Sequence, residues 1–186
     1  DVVYTRTTDE YETPFKKATD ANDAKADYFV SIHRNSSPTP NQYTGVETLV
    51  YNNSGIKSQM AANINSELEK AGFKNLGITE RPNLVVLKRT KMPAVLVEAG
   101  FINNDKDNET FDKNFNQIAN GIADGILKTL GIKPNTNNTT AQAASGEVPS
   151  VKSDSAKSAE IMPAACEKKS ASPAKPACNC DDDLSP

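Results

Sequence analysis

The 186-residue sequence holds one histidine, His33, and it follows an apolar run, Phe29-Val30-Ser31-Ile32. A second such run, Ala94-Val95-Leu96-Val97, ends on Glu98. Imidazole and carboxylate are the side chains best suited to moving protons near neutral pH, and both can bind a metal. In open α/β sheets, ligands gather at the carboxyl ends of strands, where loops and helix ends leave a crevice. If the two runs are parallel neighbours, His33 and Glu98 emerge at the same sheet edge and face one cavity. On spacing alone, such a pair is more often a surface ion pair or a hydrogen-bonded rim.

Cysteine chemistry points elsewhere. Cys166, Cys178 and Cys180 all lie in the polar C-terminal stretch, the last of them followed by Asp181-Asp182-Asp183. No second cysteine pair or nearby histidine stands at zinc-finger spacing, so flexible exposed thiols are expected there. A core without cysteine needs no disulfide and suits a reducing or an oxidising compartment.

Strands and helices must hold the two candidate residues. Val2 to Thr5 reads as a short buried strand. Thr13-Pro14 reads as an N-cap with proline at the first helical position, and the helix runs to about Lys25 on a face of Phe15, Ala18 and Ala21. Strand-length runs follow at 27–33 and 46–51. Ile56, Met60, Ile64 and Leu68, four apart, predict a helix that stops at Gly72. Leu84 to Leu87 and Ala94 to Val97 read as two more strands, joined by a basic turn. One long final helix is expected from the stripe Phe111, Phe115, Ile118, Ile122, Ile126 and Leu130. Alternating strands and helices predict an α/β layered fold, a twisted and largely parallel sheet flanked by helices.

Composition limits the rest. Apolar residues make up 37% of the sequence, so part of it builds no core. The expected organisation is a domain over 1–132 and a disordered Ser/Ala/Pro/Lys-rich linker or tail over 133–186. A net charge of -3 gives no electrostatic footprint for nucleic acid or an anionic membrane. No apolar run is long enough to span a bilayer. The sequence opens without Met, directly on Val2-Val3-Tyr4, which reads as a fragment or a processed product.

Ser31-Ile32-His33-Arg34-Asn35-Ser36 resembles the Ser-Ile-His-x-Asn-Ala motif of the zinc-dependent N-acetylmuramoyl-L-alanine amidases. The stretch from Val86 to Asn104, with Val97-Glu98-Ala99-Gly100-Phe101 at its centre, is similar to that family's later signature. Thr5-Arg6-Thr7-Thr8-Asp9, Ala21-Asn22 and Gly45-Val46-Glu47 match smaller landmarks in order. The resemblance covers about residues 1 to 132.

The resemblance implies a zinc ion held by two His and one Glu, with His33 as the second His ligand. Glu98 matches the catalytic Glu, which is not a ligand, and Glu47 matches a strand landmark. The other two ligands are expected upstream of Asp1, with a first strand and helix of the fold. The implied activity is hydrolysis of the amide between N-acetylmuramic acid and L-alanine of peptidoglycan. Zinc-activated water would attack, with Glu98 as general base. Asn35 orients the site or makes a turn, and Arg81 and Arg89 are candidates for substrate contact. The family often carries an Arg-Gly pair where this sequence has Leu76-Gly77, which leaves the substrate-binding arginine open. The implied location is outside the bacterial cell or at its wall, with a phage endolysin origin among the options. The alternative is a non-catalytic wall-binding or regulatory remnant that lacks the metal. With two ligands and a central strand gone, the chain as given is expected to be inactive, poorly folded and prone to aggregate.

Overall fold

The computed structural model of the protein describes residues 1–133. The expectations of a disordered tail and of exposed thiols at Cys166, Cys178 and Cys180 lie outside the described residues. Thr13 caps the first helix as expected, its Oγ1 accepting from the Lys16 amide at 3.1 Å. That helix, α1, spans Pro14–Asp23 and is followed by β1, Phe29–Asn35, and β2, Val46–Val50. Next come α2, Gly55–Lys70, β3, Asn75–Glu80, and the short α3, Val85–Lys88. The described part ends with β4, Ala94–Phe101, α4, Asp105–Lys113, and α5, Phe115–Thr129. No described helix is long and apolar enough to cross a membrane.

The strands form a mixed sheet in the order β1-β4-β2-β3. Two pairings are parallel, β1 with β4 and β2 with β3, while β2 runs antiparallel to β4. All eight residues of β4 are buried, as its central place and near-continuous apolar sequence require. Its side chains alternate between two cores. Val95 and Val97 join Val46, Val50 and the Met60, Ile64 and Leu68 stripe of α2, closed by Ile118 and Ile122 of α5. Ala94 and Leu96 point the other way, into a smaller core with Phe29, Leu49, Ala21 of α1, and Val86 and Leu87 of α3. Each fully buried Val, Leu or Ile contributes roughly 1.5–3 kcal/mol. Glu98 shares the second face by the same alternation, just beyond the reach of that core.

Several elements differ from the sequence reading. Val2, Val3 and Tyr4 are 69–75% exposed and form no strand, because no sheet edge among the described residues pairs with them. Leu84 to Leu87 is no strand either. The run buries Val86 and Leu87, with Leu84 packed partly against the same core, which one helical turn does as well as a strand, and Val85–Lys88 folds as α3. β3 was not expected; its apolar alternation is confined to Leu76 and Ile78 around Gly77, too short a signal by itself, and pairing with β2 decides its state. The expected long final helix is two helices. Asn114, at φ -116 and ψ 23, ends α4, caps α5 and donates its side-chain amide to the Ala71 carbonyl at 3.0 Å.

Candidate active site

β4 runs on to Phe101, so Glu98 is not at a strand exit but at the fifth position of eight. The continuation has a cause. Asp107, buried at the first turn of α4, accepts from the Phe101 amide at 2.8 Å, the Gly45 amide at 2.9 Å and the Thr44 hydroxyl at 2.6 Å. One carboxylate thereby ties the end of β4 to the entry of β2. Gly100 between them has φ 82 and lies so near the Phe73 ring that a Cβ would sit 2.8 Å from it. Only glycine fits there.

His33 and Glu98 are direct register partners in the parallel β1–β4 pair. Glu98 is in turn the register partner of Glu47 in the antiparallel β4–β2 pair. The three side chains therefore form a row across three strands of one sheet face. Beyond His33 the register slips by one residue, so Asn35 pairs with Phe101. Asn35 then reaches across β4, donating from Nδ2 to Glu47 Oε1 at 2.9 Å. From the other side Thr79 of β3 donates its hydroxyl to Glu47 Oε2 at 2.9 Å.

The environments of the two carboxylates push them apart chemically. Glu47 has a hydrogen-bond donor on each oxygen. Glu98 is 7% exposed and its Oε2 is buried with no hydrogen-bond partner. Burial, and then the neighbouring charge of Glu47, pushes the Glu98 carboxyl up to about 7. His33 is held below the usual imidazole range, first by desolvation and then by the Lys17 charge. Its Nε2 and the Ser31 Oγ lie 2.8 Å apart in hydrogen-bond contact. At neutral pH the row thus offers a neutral imidazole, a carboxyl group poised to exchange a proton, and a fixed anion.

The two candidate arginines are not part of this row. Arg89 lies over the Phe15 ring of α1, 5.9 Å from its centre. Arg81 follows β3 and donates its amide to the Val50 carbonyl, at the opposite end of β2 from Glu47. Asn22, a landmark without an assigned role, clamps α1 to the turn before β4. Its side-chain amide donates to the Arg89 carbonyl at 2.9 Å and accepts from the Lys91 amide at 2.8 Å. Glu47 is the site residue that the sequence reading set aside. Its sequence signals are an acid on an apolar strand and the Gly45-Val46-Glu47 landmark, neither of which assigns a role; the register that places it beside Glu98 is a property of the sheet.

The model of the N-acetylmuramoyl-L-alanine amidase family matches residues 1–128. The catalytic domain of CwlV, an N-acetylmuramoyl-L-alanine amidase from Bacillus (Paenibacillus) polymyxa var. colistinus, is 36% identical with a TM-score of 0.64. That match covers 72% of this chain and 74% of the other. An N-acetylmuramoyl-L-alanine amidase from Clostridium difficile 630 is 35% identical, TM-score 0.65, over 72% of this chain and 73% of its own. Among curated proteins, the endolysin of Bacillus phage SPP1 is 35% identical over 138 residues, 71% of this chain and 51% of the endolysin. The amidase CwlM of Bacillus licheniformis is 32% identical over 138 residues, 72% of this chain and 53% of CwlM. The chain spans about half the length of these curated relatives. Matched over most of its described length and sharing the fold of solved catalytic domains, the chain belongs to the N-acetylmuramoyl-L-alanine amidase family.

Proposed function

We propose that the protein is a peptidoglycan hydrolase that cleaves the amide between N-acetylmuramic acid and the L-alanine of the stem peptide. The observation that supports this most is the His33–Glu98 register pair with an orphaned, buried carboxylate oxygen on Glu98. A carboxyl near pKa 7 takes a proton from an attacking water and returns it to the leaving amine without a large penalty either way. Glu98 is therefore the general base, then the general acid. Glu47, as a fixed anion, stays out of the proton transfer, and Asn35 holds it in place. Contacts from Arg81 and Arg89 to peptide or glycan are part of the proposal through the family resemblance alone. The substrate places the protein outside the cell or at the wall of a bacterium, as an autolysin or a phage endolysin.

Zinc belongs to the same proposal. A bound zinc ion supplies Lewis acidity, which makes water more acidic and polarises a carbonyl. His33, neutral and accessible at the row, fits one ligand position. Glu47 is committed to Asn35 and Thr79, and no group of three or more His, Cys, Asp or Glu among the described residues could hold a metal. The described residues thus do not fit a complete zinc centre, and the remaining donors would come from outside them. The alternative reading is a wall-binding or regulatory member of the fold without hydrolysis.

One experiment separates the two. The full-length protein is titrated with zinc by calorimetry, and release of L-alanine peptides from purified wall is followed for wild type and Glu98→Gln. Hydrolysis lowered by about a hundred- to ten-thousand-fold in the variant, with zinc binding kept, supports the enzyme. Near-normal release by the variant removes Glu98 from its role. Wall binding with no zinc uptake and no release supports the second reading.

A further inference from the structure

Both oxygens of Glu47 accept hydrogen bonds from other strands, and one of those strands is not its neighbour. β4 lies between β1 and β2, so the Asn35–Glu47 bond spans two strand spacings, roughly 9–10 Å, above the sheet. We propose that Glu47 is a positioning residue, a brace that holds Asn35 and the end of β1 across β4 so that His33 stays opposite Glu98. The kinetic part of this inference rests on the amidase reading; the structural part does not.

Three features argue for a brace. Among the described residues β1 is an edge strand, held by a neighbour on one side only, and its register with β4 slips between His33 and Asn35. An edge strand with such an irregularity is weakly fixed by its backbone alone. The Asn35 amide is also oriented from its own side. Its Oδ1 accepts from the Ser36 amide at 2.8 Å, which turns Nδ2 toward Glu47. Thr79 holds the other carboxylate oxygen, so Glu47 cannot swing away from β3 without losing a bond. The chain Ser36–Asn35–Glu47–Thr79 thus joins β1, β2 and β3 over the strand that carries Glu98.

Glutamine at position 47 can keep both bonds, since its carbonyl accepts from Asn35 and its amide donates to the Thr79 hydroxyl. Alanine keeps neither. In the 15N-labelled full-length protein, the Asn35 side-chain amide is expected to exchange slowly in wild type and in Glu47→Gln, and fast in Glu47→Ala. The His33 ring signals should shift in Glu47→Ala alone. With kcat taken at the top of each pH profile, Glu47→Ala should lose roughly ten- to a hundredfold in kcat at nearly constant KM, as for a displaced reacting group. Glu47→Gln should recover most of that loss. Equal damage from Glu47→Gln and Glu47→Ala would overturn the brace in favour of charge, and so would fast Asn35 exchange in wild type. Slow exchange and His33 shifts as expected, in a wild type that releases no wall peptides, would support the brace and refute the amidase reading.

Discussion

Glu98 and Glu47 are the same side chain in two settings one strand apart. Two donors satisfy the oxygens of Glu47, while Glu98 has a buried oxygen that nothing in the described protein satisfies. That asymmetry has a stability signature. Because the folded pKa of Glu98 is raised from 4.5 to about 7, the folded state holds its proton more tightly than the unfolded chain. Its contribution is therefore fully present below pH 4.5 and lost as pH rises through about 7. At about 1.4 kcal/mol per unit, the loss is on the order of 3 kcal/mol. Glu98→Gln removes the titration. In chelator-treated protein, urea unfolding should show the variant gaining on wild type by that order between pH 4 and pH 8. A constant difference across that range would mean that Glu98 is solvated. The sequence could place Glu98 and His33 at a common site, since each follows an apolar strand. It could not rank Glu47, whose role depends on which residue lies opposite on β4.

At the scale of elements, the two large helices meet at glycines. Gly121 and Gly125 of α5 face α2, and a Cβ on Gly125 would sit 2.6 Å from the Ile64 Cα and 2.7 Å from its backbone nitrogen. Alanine is the better helix former by about 1 kcal/mol, but a clash with backbone cannot be relieved by a rotamer. The clash wins. Gly125→Ala is expected to destabilise the protein by about 1–3 kcal/mol, read from the urea midpoint at unchanged slope. A stabilised variant would show that α2 and α5 are further apart than described. Elements with strong local signals were legible: Thr13-Pro14 capping α1, the four-residue spacing in α2, and the apolar run of β4. Elements decided by tertiary contact were not. Leu84 to Leu87 has the composition of a strand but buries the adjacent Val86 and Leu87 against one core, with Leu84 packed beside them, as a helical turn does. β3, with Gly77 at φ 90, exists because β2 offers it an edge. The stripe from Phe111 to Leu130 looked continuous because apolar spacing survives a break that Asn114 makes with its backbone.

For the molecule as a whole, the site row begins on a strand at the edge of the sheet among the described residues. β1 is an edge among the described residues, and Ile32, next to His33, is 60% exposed. Ile32 shares its strand face with Arg34, whose guanidinium lies 4.3 Å over the Phe111 ring, and Phe111 meets Phe115 edge-on at 5.6 Å. Phe115 and Ile102 are each 57% exposed, so apolar surface continues around this edge. Unpaired strand edges and contiguous apolar patches both promote pairing with another chain. The net charge of -3, spread over 186 residues, offers little repulsion against it. The 186-residue chain should therefore self-associate as its concentration rises, through the β1 edge. Ile32→Lys places a charge on that edge without touching the row, because residue 32 points to the face opposite His33. Sedimentation velocity should then show the variant staying monomeric at concentrations where wild type does not. Equal association of both would locate the contact elsewhere, with the exposed Val2-Val3-Tyr4 segment the next to substitute.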